Sequence, residues 1–368
     1  MVYRRLAILA ACALALLTGG PQATLLPDAT VSGDAPRKLA LLIGINEYRS
    51  PTLLDLRGCV NDVLLMRTVL TNQFGFEPEQ VTVLTDAQAT RQGIIDAFRA
   101  LTAKARAGDV VVVHYSGHGS RMKDVSGDES DGLDETIVPH DSREGDVFDL
   151  SDDELNGLLR ELNRKTSNVT VVLDSCHSGS ATRGGAATRR APDDPRDPPP
   201  ASAFALGSRG VTADASDVRT RDARYVLITG CKSHQLSNEQ ELDGSRQGVM
   251  TWHLARALRE AGAQATYRDV MDRVAGEVSA LFPSQEPELE GAAADALLFR
   301  EEEARVSPYV LVSPQDTGKA SVEAGTLYGL TSGVVLEVHE PGARSFEPTA
   351  AIARVKVTSV DAFRAVGE

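Results

Sequence analysis

The chain has 368 residues and a mass of 39.2 kDa; 42% of its residues are hydrophobic and 24% charged, and 38 basic against 52 acidic side chains leave a formal charge of −14. That composition suits a globular protein of about two domains and excludes both wholesale disorder and a multi-span membrane protein. The acidic balance, with no basic tract, excludes a general nucleic-acid binder and favours cationic partners.

The chain opens MVYRRLAILAACALALLTGG, with Arg4 and Arg5 ahead of an apolar run from Leu6 to Leu17 and small, turn-forming residues after it. This pattern predicts a signal peptide over residues 1–25 and export to the periplasm or the medium. The run has 12 residues, short of the roughly 18–20 that span a bilayer, so no membrane span is expected. Leu9-Ala10-Ala11-Cys12 also resembles a lipobox, which would make Cys12 a lipid anchor. Removing the leader leaves three cysteines, Cys59, Cys176 and Cys231, so at least one thiol stays unpaired in an oxidising compartment.

Lys38 to Gly44 (KLALLIG) is a continuous apolar run, as in a strand covered on both faces. Asn61 to Gln73 carries apolar residues at helical spacing, Val81 to Leu84 reads as a second strand, and Arg91 to Ala105 as a second helix. Asp109 to Tyr115 (DVVVVHY), Asp152 to Asn163 and Val169 to Leu173 continue the alternation as strand, helix and strand. Such alternation predicts an α/β domain with a mostly parallel sheet flanked by helices on both faces, over residues 37–300. From Ser180 to Arg224 the periodicity stops in Gly, Pro, Ala, Arg and Asp, and a long mobile loop is predicted. Order resumes with a strand at Tyr225 to Gly230 and helices at Gly248 to Ala261 and Tyr267 to Leu281. Short β-branched runs at Tyr309 to Val312, Val334 to Val338 and Ile352 to Val357 predict a small barrel-like β domain over 307–368.

In open parallel sheets, ligands bind beyond the carboxyl ends of the strands. Two strands here run into unusual loops, Ser116-Gly117-His118-Gly119 and Asp174-Ser175-Cys176-His177-Ser178-Gly179. A thiol is only slightly ionised at neutral pH, and a nearby imidazole can take its proton and return it to a leaving amine. The pair therefore reads as nucleophile and base, with His118 preferred to His177, whose adjacency to Cys176 points its ring elsewhere. Backbone N–H groups at Gly117 and Cys176 are candidates for an oxyanion hole. His114, on the strand itself, reads as structural.

The segments LLIGINEY, LRGCVNDV, HYSGHGS, GDESDGLDETIVP, SDDEL and LDSCHSG together resemble the caspase-like clan CD cysteine peptidases, and among them the type I metacaspases and their bacterial relatives. The resemblance spans roughly Lys38 to Gly291. It implies a caspase-like fold, with His118 and Cys176 as the catalytic dyad and Cys59, Asp62, Ser116 and Asp174 lining the primary specificity pocket. A QACRG-like loop is absent, which disfavours cleavage after aspartate. Two carboxylates in one desolvated pocket give an independent reason to expect Arg or Lys before the scissile bond, although Asp62 alone also reads as a first-turn acid facing a helix dipole.

Between Asp124 and Glu154 stand nine Asp and four Glu against the single Arg143. The cluster reads as a solvated loop or as hard oxygen ligands, and the resemblance implies calcium as an activator, with Asp152 and Asp153 as ligands. An acid expected just after the nucleophile is replaced by Ala181-Thr182-Arg183. The chemistry itself requires no cofactor. Eight arginines lie between Ser180 and Arg224, which suggests self-cleavage after one of them. The combined expectation is an exported, monomeric cysteine endopeptidase acting on protein or peptide substrates after Arg or Lys. A catalytically silent peptide-binding or scaffolding protein is the alternative.

Overall fold

The apolar runs predict parallel strands, and the computed structural model, which describes residues 36–127, 129, 131–176, 187–198, 225–300, 310, 312–315, 318–339 and 351–368, places five of them in one sheet. Strands β1 (Lys38–Gly44), β2 (Val81–Thr85), β3 (Val110–Ser116), β7 (Asn168–Asp174) and β9 (Tyr225–Thr229) pair in parallel, in the order β9-β7-β3-β1-β2. A short sixth strand, β12 (Glu288–Glu290), closes the β9 edge antiparallel. The pleat sends Leu39, Leu41 and Ile43 to one face and Ala40 and Leu42 to the other.

Helices α2 (Arg91–Lys104) and α3 (Asp152–Asn163) cover the first face through Ile94, Phe98, Leu155 and Leu159. Helices α1 (Cys59–Phe74), α4 (Val249–Glu260) and α5 (Tyr267–Leu281) cover the second through Val63, Leu70, Leu254 and Val274. Thr90, Ser151 and Thr266 accept the N–H of the third helical residue at the starts of α2, α3 and α5, which fixes those boundaries. Among the described residues no helix is long and apolar enough to cross a membrane.

Two small antiparallel sheets stand at the carboxyl ends of the parallel strands. One contains β4 (Gly119–Lys123), β5 (Leu133–Ile137) and β6 (Leu150–Ser151). The other contains β8 (Ala187–Thr188), β10 (Asn238–Leu242) and β11 (Ser245–Gly248). Toward the C-terminus, β13 (Val312–Pro314), β14 (Ala320–Val322), β15 (Val335–Val338), β16 (Ala353–Val360) and β17 (Ala365–Gly367) form a five-stranded antiparallel sheet over its own small core of Val322, Ala324, Val357 and Ala365. Tyr309 lies outside the described residues, as do residues 1–35 with Cys12 and the expected signal peptide.

One expectation is corrected. The Ser180–Arg224 segment is not mobile throughout, because residues 187–198 are held against the domain. β8 pairs with β10, Arg189 is fully buried, and Ala191 is 2% exposed within the core. Composition signals mobility where no apolar face can offset ordering entropy. Here strand pairing and buried ion pairs supply that offset.

Candidate active site

β3 and β7 are neighbours in register, Ser116 opposite Asp174, so the loops that follow them emerge side by side. The backbone of His118 is clamped twice: its N–H donates to the Tyr48 hydroxyl (2.8 Å) and its carbonyl accepts from the Tyr115 hydroxyl (2.7 Å). A Cβ on Gly117 would lie 2.5 Å from that Tyr115 oxygen, so the residue before the histidine must be glycine. The imidazole packs on Tyr48 at 4.9 Å between ring centres.

Its Nε2 stands 2.7 Å from the Leu54 carbonyl. A carbonyl can only accept, so Nε2 carries the proton and Nδ1 keeps its lone pair. Nδ1 is buried without a hydrogen-bond partner. Burial lowers the His118 pKa to about 4 against the opposing pull of the Leu54 and Arg189 carbonyls, so the ring is neutral at physiological pH. Leu54 contributes through its backbone, which no side-chain pattern announces.

Cys176 is fully buried, and its Sγ accepts the Ser237 N–H and lies 3.3 Å from the Ser237 carbonyl. Cys231 and Leu236 share its small apolar cluster, and contact with Cys176, then burial, pushes the Cys231 thiol up. Cys59, Cys176 and Cys231 are all free thiols. His177 lies outside the described residues.

The segment 187–194 of the same chain runs through this site. Thr188 and Ala187 pair antiparallel with Asn238 and Glu239, and the Arg189 N–H donates to the Ser237 carbonyl (3.0 Å). The Arg189 carbonyl accepts two N–H groups, from Cys176 at 3.2 Å and from Gly119 at 3.0 Å. Gly117, the other oxyanion candidate, turns its N–H toward the Asp174 carbonyl (3.4 Å), whereas Gly119 is the residue that donates to the Arg189 carbonyl.

The Arg189 side chain fills the acidic pocket that the sequence suggests. Its guanidinium reaches Asp62 Oδ2 (2.6 Å), Asp174 Oδ2 (3.0 Å) and the Ser116 hydroxyl (2.8 Å), with Glu239 at 3.8 Å. Asp62 lies in the first turn of α1, yet its carboxylate turns away from the helix and accepts from Ser116 Oγ and the Gly248 N–H. Asp174 accepts from the Ser237 and Thr251 hydroxyls, both at 2.6 Å. Burial pushes the Asp62 carboxyl up to about 6, with Arg189 opposing and Asp174 adding to the rise. Asp174 is also penalised by burial, but Arg189 and the two hydroxyls outweigh that and hold it below the ordinary range. Cys59, at the start of α1, is fully buried, and burial pushes its thiol well up, so it is a neutral wall group. Gly248 completes the wall: a Cβ there would collide with Asp174 Oδ2 and stand 2.6 Å from the Arg189 guanidinium. Glu239 and Gly248 were not among the sequence candidates.

Asp152 and Asp153 open α3, and Asp152 lines a cleft with Glu135, Ser175 and Cys231. Burial pushes Asp152 up to about 7, and the charges of Asp153 and Glu135 add to the rise. Among the described residues no three His, Cys, Asp or Glu side chains converge to hold a metal ion.

His114, on β3, is fully buried, and burial holds it near pKa 4 as well. Both histidines bind protons more weakly in the folded chain than at their ordinary 6.5. Their contribution to stability is therefore present above pH 6.5 and is lost as pH falls toward 4, at most roughly 3 kcal/mol each. Thermal unfolding followed against pH should show that loss, and it should be shallower in His114→Gln. An equal slope in the variant would reject the assignment to His114.

The caspase domain family model matches residues 37–298. The chain is 32% identical over 287 residues to metacaspase-1A of Aspergillus niger, covering 69% of this chain and 70% of the relative. It is 31% identical over 290 residues to metacaspase-1 of Ajellomyces capsulatus, covering 69% and 79%. A crystal structure of a Geobacter sulfurreducens protein superposes with a TM-score of 0.50 at 27% identity, over 69% of this chain and 92% of that one.

Proposed function

The chain belongs to the caspase domain family and is a cysteine-type endopeptidase, and from that premise we propose that it cuts after arginine or lysine and processes itself between Arg189 and Arg190. Arg189 carries the reading. Its side chain is paired with buried carboxylates while its carbonyl accepts from Cys176 and Gly119, the posture of a residue about to be cut. Edge pairing of residues 187–188 with β10 is how an extended substrate docks on a sheet.

In this reading Cys176 is the nucleophile and His118 the general acid and base. The thiol proton passes to His118 Nδ1, and Sγ attacks the Arg189 carbonyl carbon. The N–H groups of Cys176 and Gly119 hold the oxyanion, aimed where charge develops. Collapse breaks the bond to the Arg190 nitrogen, which takes the proton from Nδ1. Water, deprotonated by the same nitrogen, then hydrolyses the thioester and frees the cysteine. The Leu54 carbonyl keeps Nε2 protonated throughout and so fixes the tautomer. The charged and apolar pattern over residues 1–25 supports export, to the periplasm or the medium, and the proposed form is a monomer.

The test is hydrolysis of matched fluorogenic peptides ending in Arg, Lys or Asp, with intact-mass analysis of the purified chain and of Cys176→Ala. Cleavage after Arg or Lys and a wild-type break at 189–190, both absent from the variant, are expected. Cleavage after Asp, or an intact wild-type chain beside an intact variant, would reject the respective part.

A further inference from the structure

Beyond Arg189 the segment does not leave the protein. Arg190 bridges to Gly119 in parallel fashion, the Ala191 N–H donates to the Gly119 carbonyl (2.9 Å), and the Asp194 N–H donates to the Arg121 carbonyl (2.8 Å). Residues 190–194 thus lie as an added strand along the free edge of β4. These backbone bonds are indifferent to sequence, but they fix register, and register decides which side chain meets which surface.

Two positions are read by side chains. Ala191, second after the proposed cut, is buried in the core cluster, where a long or charged side chain has no room. Asp193, fourth after the cut, offers one oxygen to Arg121 at 3.0 Å and the other to Arg190 of its own segment at 2.8 Å. Arg121 is 24% exposed and its next acid, Asp131, stands at 3.8 Å, so Asp193 is its nearer partner. The Ser120 hydroxyl donates to the Pro192 carbonyl (2.8 Å) and holds the strand between these points.

We propose that β4 is a leaving-side recognition rail in which Arg121 selects an acidic residue four places after the scissile bond, above an apolar site that selects a small residue two places after it. The inference rests on the reading that Arg189–Arg190 is a substrate bond, and it extends the substrate class from one basic residue to a pattern: basic, cut, any, small, any, acidic. Because the rail is formed by one edge strand, the intramolecular segment and an external chain compete for the same groove.

Internally quenched peptides with the sequence Ala-Thr-Arg-Arg-Ala-Pro-Asp-Asp test it, compared with the peptide in which lysine replaces the first of the two aspartates. Wild-type enzyme should favour aspartate about tenfold in kcat/KM at low salt, with the ratio narrowing as salt rises, as for a half-exposed ion pair. Arg121→Glu should invert the order. A large side chain in place of the second residue after the cut should slow cleavage in both enzymes. Equal rates for aspartate and lysine with wild-type enzyme overturn the proposal, and that comparison suffices if Arg121→Glu does not fold. A fluorogenic peptide with a dye directly after arginine separates the two levels. Its hydrolysis by wild type, without discrimination on the leaving side, sinks the rail alone, whereas failure on every arginyl substrate sinks the reading beneath it as well.

Discussion

Asp174→Asn should lower kcat/KM for arginyl and lysyl peptides by about a thousandfold, within the roughly 2–5 kcal/mol lost when one partner of a desolvated, hydrogen-bonded charge pair is removed. The substitution preserves shape but leaves a cationic guest in a fully buried pocket with Asp62 as its remaining close carboxylate and Glu239 at 3.8 Å. It also disturbs the Ser237 and Thr251 hydroxyls, which both donate to this carboxylate. Steady-state kinetics on matched Arg and Lys peptides, with a melting curve to establish folding, measures the effect. A folded variant with undiminished turnover would mean that the basic side chain binds elsewhere.

Arg189→Ala should give a chain that is not cut at 189–190 and, with both chains kept uncut by Cys176→Ala, is less stable than its Arg189 parent by about 3–5 kcal/mol at neutral pH, the scale for stripping a buried ion cluster of one partner. Asp62 and Asp174 are then left facing one another without a cation, while Glu239 keeps Arg246 at 3.2 Å. Mutual repulsion raises their pKa values in the folded chain above the unfolded ones. A raised carboxylate costs stability increasingly as pH climbs past its unfolded pKa, so the deficit against that parent should grow from pH 5 to pH 8. A small guanidinium ligand such as arginine methyl ester should restore part of the melting temperature by binding the folded state. A pH-independent deficit with no ligand rescue would show that Arg189 contributes packing and not charge.

The parallel core was readable because its signals are local. Four of the five runs are buried almost throughout, all but the edge strand β2, and each of the five helices carries an apolar stripe, several with a capping residue at the start. His118 and Cys176 stand out because rare residue types follow apolar strands directly. What escaped was held by long-range partners. β12 is three residues of Glu-Leu-Glu that are a strand only because β9 offers an edge. Glu239 lies in a polar hairpin, where nothing local separates it from Glu241. Gly119 in place of Gly117 is a matter of which N–H the loop turns toward the carbonyl, and Leu54 acts through an oxygen that every residue has. Arg189 was one of eight arginines in a segment whose composition signals looseness; what singles it out is a set of carboxylates of which Asp174 is 15 residues away but Asp62 is 127.

The order of the central sheet decides what a break at 189–190 would leave behind. β7, on the N-terminal side of that bond, pairs with β9, on the other side, through five residue pairs deep in the sheet. The two pieces would therefore stay together as a non-covalent heterodimer sharing one catalytic centre: Cys176, His118, Asp62 and Asp174 on the first piece, Glu239, Gly248 and the Ser237 backbone on the second. Activity in the nicked molecule would then depend on an association equilibrium. Dilution into mild denaturant would extinguish it in a concentration-dependent way, whereas the uncut chain would unfold independently of concentration.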